Sequence, residues 1–181
     1  MTWDAFHRRG DVLRTVAEEA NRRRDGVLPT ELPGVDTAFR DDADLVLALQ
    51  LRWHTRLAGQ IERALMEEPA GLETAVLTAW RRTAAQLAGV RAILDAQRVE
   101  PTTPEVGEAL ARADRKDWTL LAAMAGRAST ADPAAARLGR RLEETARAAY
   151  DPTATPRRTS ASAAADRPAS LLGRLRAHLA A

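Results

Sequence analysis

From residue 3 to residue 150 the apolar side chains recur at helical spacing, and no stretch alternates at the period-two spacing of a strand. That pattern restricts the chain to helices packed on helices. The fold class it predicts is all-α: an antiparallel bundle of about five helices over residues 1–150, then a flexible linker at 151–169 and a short C-terminal amphipathic helix at 170–181. At 181 residues the chain is long enough for one domain with a sizeable core.

Residues 3–24 put Trp3, Phe6, Leu13, Val16, Ala17 and Ala20 on one face, and Asp25-Gly26 is the expected stop. The segment Val27–Val35 has two prolines among apolar residues, so it is expected to run extended over the bundle. Asp41, Asp42 and Asp44 mark the start of a helix that runs to about Glu67 before Pro69. A second helix over about 70–96 carries the stripe Leu72, Val76, Ala79, Thr83, Leu87, Val90 and Leu94, and the short connection makes the two an antiparallel hairpin. Thr102-Thr103-Pro104-Glu105 opens the next helix, expected to break or bend near Asp114–Asp117. Asp132-Pro133 opens the last helix of the body, which ends near Tyr150.

Charge and composition exclude several classes of function. The pI of 9.8 suggests a basic protein, yet residues 1–150 hold 22 basic against 23 acidic groups and residues 151–181 hold 5 against 2. Lys116 is the only lysine, Asn21 the only asparagine and Tyr150 the only tyrosine, whereas Ala and Arg abound, as a high-GC bacterial genome would dictate. A neutral body argues against nucleic acid as a partner. Cysteine is absent, which removes disulfides, thiolate metal sites and cysteine nucleophiles. No apolar run approaches the roughly 20 residues of a membrane span, and Arg8 and Arg9 replace a signal-peptide core, so a cytoplasmic location is expected.

Only one polar cluster interrupts the apolar pattern. On a wheel of residues 45–66, Gln50 and His54 fall inside the face centred on Val46, Trp53, Leu57 and Ile61, and His54 lies about one turn from Thr83 on the facing helix. Buried polar groups require hydrogen bonds, so Gln50, His54 and Thr83 are expected to form a small network. The alternative makes them the polar floor of a ligand-binding or catalytic pocket walled by Trp53 and Trp80. A di-metal site is excluded on ligand count, because position 51, where Glu-x-x-His requires a carboxylate, is Leu. No Gly-rich phosphate loop and no Ser-His-Asp set is present, and neither a metal nor a cofactor is expected.

The C-terminal segment reads as a tethered peptide. Residues 151–169 hold three prolines among Thr, Ser and Ala, and after them Leu171, Leu172, Leu175 and Leu179 fall on one side of a short helix that would fold only against a surface. Arg157-Arg158-Thr159-Ser160 resembles a basophilic kinase site, and Leu179-Ala180-Ala181 is similar to the end of the bacterial ribosome-rescue degradation tag. The expected function is therefore non-enzymatic protein–protein interaction, through a face of the bundle or through the tethered leucine helix.

Overall fold

The computed structural model describes residues 3–150, and all its regular elements are helices. In chain order they are α1 (Trp3–Arg23), α2 (Val35–Ala38), α3 (Asp42–Glu67), α4 (Leu72–Gln86), α5 (Ala88–Val99), α6 (Pro104–Met124) and α7 (Ala135–Ala148). The expectations for residues 151–169 and 170–181, with Ser160 and the four tail leucines, lie outside the described residues. Among the described residues no helix is long and apolar enough to cross a membrane.

Helix starts follow the capping signals. The Asp41 side chain accepts from the Asp44 backbone N–H at 2.7 Å, and Thr103 caps α6 with Pro104 as its first residue. At the end of α1 the left-handed conformation falls on Arg24 (φ 54°) as well as on Gly26 (φ 77°), so the stop comes two residues earlier than the glycine alone implies. Leu28 and Leu32 of the following segment lean on the core, and Val35 is buried in the single turn of α2, which the sequence pattern missed.

Two boundaries differ from expectation. Residues 104–124 form one unbroken helix, so no break occurs near Asp114–Asp117. Instead the break comes at Leu87 (φ −122°, ψ 38°), which divides the expected 70–96 helix into α4 and α5. Asn21 of α1 stitches this interruption: its Nδ2 donates to the Gln86 carbonyl at 3.1 Å, and its Oδ1 accepts from the backbone N–H of Gly89 at 2.9 Å and of Val90 at 3.4 Å. One amide thus serves an orphan carbonyl of α4 and two orphan N–H groups of α5.

The core runs through Leu45, Leu49, Trp53, Leu57 and Ile61 of α3, Trp80 of α4, Ile93 and Leu94 of α5, and Leu110 and Leu121 of α6. Two glycines set the closest helix contacts. A Cβ at Gly89 would collide with the Ala20 carbonyl of α1, and one at Gly139 with the Trp118 carbonyl of α6. By contrast, a Cβ at Gly10 of α1 or Gly59 of α3 would meet nothing within 4 Å. Gly89→Ala and Gly139→Ala are therefore expected to destabilise by about 1–3 kcal/mol or more, whereas Gly10→Ala and Gly59→Ala should stabilise by up to about 1 kcal/mol through helix propensity. Urea unfolding of the four variants checks the contrast, and a loss of stability at Gly59→Ala would contradict the open space beside it.

Candidate functional site

The residues singled out in the sequence separate into a linked pair and an outlier. Gln50 is buried and His54 keeps 42% of its side chain exposed; both bond the same carboxylate, Asp117 of α6, which is 7% exposed. Gln50 Nε2 donates to Asp117 Oδ2 at 3.2 Å, and His54 Nδ1 lies 2.5 Å from Asp117 Oδ1. Gln50 Oε1 in turn accepts from Arg98 Nη2 at 3.3 Å, and Arg98 holds Asp114 through two bonds of 2.9 and 2.6 Å. Thr83 does not join them. Its hydroxyl donates to the Ala79 carbonyl one turn back at 2.8 Å, which satisfies it within its own helix. Trp53 and Trp80 meet edge to face with ring centroids 5.9 Å apart, as packed core rather than as walls of an opening.

A second charge cluster fills the centre. Arg91, 8% exposed, stacks its guanidinium over Trp53 at 4.7 Å and Trp80 at 5.7 Å. It donates to Glu143 Oε1 at 2.8 Å, and the Trp118 indole N–H donates to Glu143 Oε2 at 2.6 Å. Arg147 bonds both Glu143 and Asp95. Burial pushes the carboxyls of Asp117 and Glu143 above their ordinary values, partly offset by His54 beside Asp117 and by Arg91 beside Glu143. Among the described residues no group of three or more potential metal ligands converges.

The open space lies on the other flank of α3. A groove of about 990 Å³ runs between α1 and α3, and its lining includes Gly10, Leu13 and Asn21 on one side and Ala48, Leu51, Arg52, Gly59 and Arg63 on the other. Leu47 and Leu51, also on its lining, are 40% and 65% exposed. None of Gln50, Trp53, His54, Trp80 and Thr83 lines it. At one end Arg9 is fully engaged: it grips Asp44 through two bonds of 3.0 and 2.9 Å, donates to the Ala38 carbonyl at 2.6 Å and stacks on Phe39. The Arg9 guanidinium holds the Asp44 carboxyl down at about 2. Farther along, Arg52, Arg56 and Arg63 carry no ion pair among the described residues, and Arg52 Nε is buried without an acceptor.

Compared with known proteins, the chain matches no family model, no curated protein and no solved structure. The groove thus rests on geometry alone. Its one sequence signal is a pair of glycines, Gly10 and Gly59, inside helices that have no need of them. Asp117 was concealed by its charged surroundings, Asp114-Arg115-Lys116-Asp117, which read as a solvated helix break.

Removing the Asp117 carboxylate tests the linked pair. Asp117→Ala leaves Gln50 and His54 without their shared partner and should cost about 1–3 kcal/mol. Asp117→Asn offers an acceptor to Gln50 and a donor to His54 and should cost less. Because burial raises the folded-state pKa of Asp117, its contribution favours the fold below the ordinary value of 3.8 and is lost as pH rises above it. Asp117→Asn should therefore flatten the pH dependence of stability above pH 3.8, measured by urea unfolding at a series of pH values.

Proposed function

We propose that this chain is a non-enzymatic, cytoplasmic protein that works by binding another protein, with the groove between α1 and α3 as its docking surface. The observation that carries the reading is the groove itself, about 990 Å³ with exposed Leu47 and Leu51 on its lining. Exposed apolar surface costs solubility, and exposed leucines on the lining of an open groove mark a place where something covers them. The cytoplasmic location is part of the same reading and is supported by the cysteine-free composition. The tail leucines Leu171, Leu172, Leu175 and Leu179 belong to this reading as a second, separately tethered docking element.

A second reading makes His54 the working residue of a ligand or catalytic site. One observation favours it: Asp117 orients the ring through Nδ1, as carboxylates orient a basic histidine, while the ring is 42% exposed and Nε2 has no partner among the described residues. His54→Gln should abolish any small-molecule binding under this reading and leave partner binding intact under the first.

Photo-crosslinking tests the docking surface. A benzophenone amino acid at Thr55, an exposed residue on the groove lining, should give a discrete protein adduct in cells of the source organism, and one at Val99, which is 89% exposed and away from the groove, should not. Leu51→Asp should suppress the Thr55 adduct while changing stability by less than about 0.5 kcal/mol, because Leu51 is 65% exposed. Equal adducts from both positions, or a Thr55 adduct insensitive to Leu51→Asp, would sink the proposal.

A further inference from the structure

We infer that the occupant of the groove is an acidic amphipathic helix of a partner protein, its apolar stripe lying over Gly10 and Gly59 and its carboxylates meeting Arg52, Arg56 and Arg63. This rests on the docking reading above and adds the chemistry of the partner.

The dimensions suit a helix. From Asp44 to Arg63 the α3 side of the groove is about 28 Å long at 1.5 Å per residue, enough for a partner helix of about five turns. Its apolar surface is supplied by Leu13, Ala48, Leu51 and Leu87, the chemistry that receives an i, i+3, i+4, i+7 stripe.

The glycines supply an independent indication. Glycine inside a helix is unfavourable relative to alanine, because it loses more backbone freedom on folding. At Gly89 and Gly139 that cost has an internal cause, since a neighbouring helix backbone occupies the space of the missing Cβ. At Gly10 and Gly59 it has none: both sit within long helices, both line the groove, and both would place a Cβ in empty space. A second backbone approaching these two positions, as α1 approaches Gly89 and α6 approaches Gly139, gives them the same cause.

Charge selects the sign of the partner. Asp44, the carboxylate on the groove lining, is already neutralised by Arg9. What is left to offer is the row Arg52, Arg56 and Arg63 along one edge of α3: among the described residues none of them is ion-paired, Arg56 Nε donates only to the neutral Gln86 amide, and Arg52 Nε lacks an acceptor. This row discriminates against the chain's own terminal segment: residues 151–181 hold five basic and two acidic groups, and Arg174 and Arg176 stand among the tail leucines. The apolar lining also sets the groove apart from a nucleic-acid channel, which needs stacking aromatics or a continuous cationic track, whereas among the described side chains no aromatic lines this one.

Fluorescence anisotropy with the full-length protein tests the assignment. The probes are a labelled 20-residue peptide with leucines at a and d positions and glutamates on its polar face, the same peptide with lysine for glutamate, a peptide of residues 166–181, and a mixed-sequence oligonucleotide. The glutamate peptide should bind at least tenfold more tightly than each of the others, and its affinity should fall as salt is raised from 50 to 300 mM. Combining Arg52→Glu, Arg56→Glu and Arg63→Glu should reverse the preference to the lysine peptide, an outcome that a merely unfolded variant cannot give. Gly59→Leu should weaken the glutamate peptide at least tenfold with the circular dichroism spectrum unchanged. Equal binding of the lysine peptide or of 166–181, tighter binding of the oligonucleotide, no binding of the glutamate peptide up to millimolar concentration, or an unreversed preference would overturn the assignment. If it falls while the Thr55 adduct persists, the docking reading stands with a different occupant; if the adduct also fails, the reading falls with it.

Discussion

Arg91 is a guanidinium in the middle of a hydrophobic core, and the arrangement of half the molecule follows from accommodating it. Taking such a charge out of water costs several kcal/mol, which only close, well-aligned partners offset. Trp53 and Trp80 provide π faces, Asp95 lies one turn on in α5, and Glu143 reaches in from α7. Because Glu143 also takes the Trp118 indole and Arg147, one carboxylate fixes α5, α6 and α7 relative to one another. Gly139 then lets α7 close directly onto the α6 backbone at Trp118, the same residue whose indole the carboxylate holds. A set of this kind adds little net stability compared with an apolar core, but it disfavours every packing that leaves Arg91 unpaired.

The groove follows from how α1 is fastened. Near its start Arg9 is tied to Asp44 and Ala38, and near its end Asn21 and Ala20 are pressed onto the α4–α5 break at Gly89. Between those two anchors α1 passes alongside α3, and Gly10, next to the first anchor, and Gly59 of α3 offer no side chains to fill the gap. A helix held at two points over a glycine-bearing face leaves a trough along its length, which is where the open volume lies.

Much of the fold was legible in the sequence and most of the chemistry was not, for identifiable reasons. Helical periodicity and capping residues are local, so the positions of α1, α3, α6 and α7 could be read from Asp41, Thr103 and the apolar stripes. The break at Leu87 is imposed from outside by Asn21, and nothing between residues 70 and 96 announces it. Gln50 and His54 could be picked out because they interrupt an apolar face, but their partner Asp117 stands in a run of charges where one inward carboxylate looks like its neighbours. Thr83 needs no partner across the interface, because a threonine in a helix can satisfy itself on the carbonyl one turn back, which the position of Thr83 in the apolar stripe does not reveal. Arg91 was equally hidden: in an arginine-rich chain, no local pattern separates the buried cation from the exposed ones.

The two flanks of α3 therefore carry different kinds of polar residue. On the α6 side, Gln50 and His54 are bound into a relay that ends in Arg98 and Asp114, so altering one member strands another in a poorly solvated place. On the α1 side, Arg52, Arg56 and Arg63 have no carboxylate to strand among the described residues, and Leu51 and Gly59 have exposed surface rather than packing to lose. A substitution on the first flank changes the folding equilibrium before it can report on anything else. One on the second leaves the core contacts of Trp53, Leu57 and Ile61 in place, so its effect on folding is confined to helix propensity and to local bonds such as that of Arg56 to Gln86.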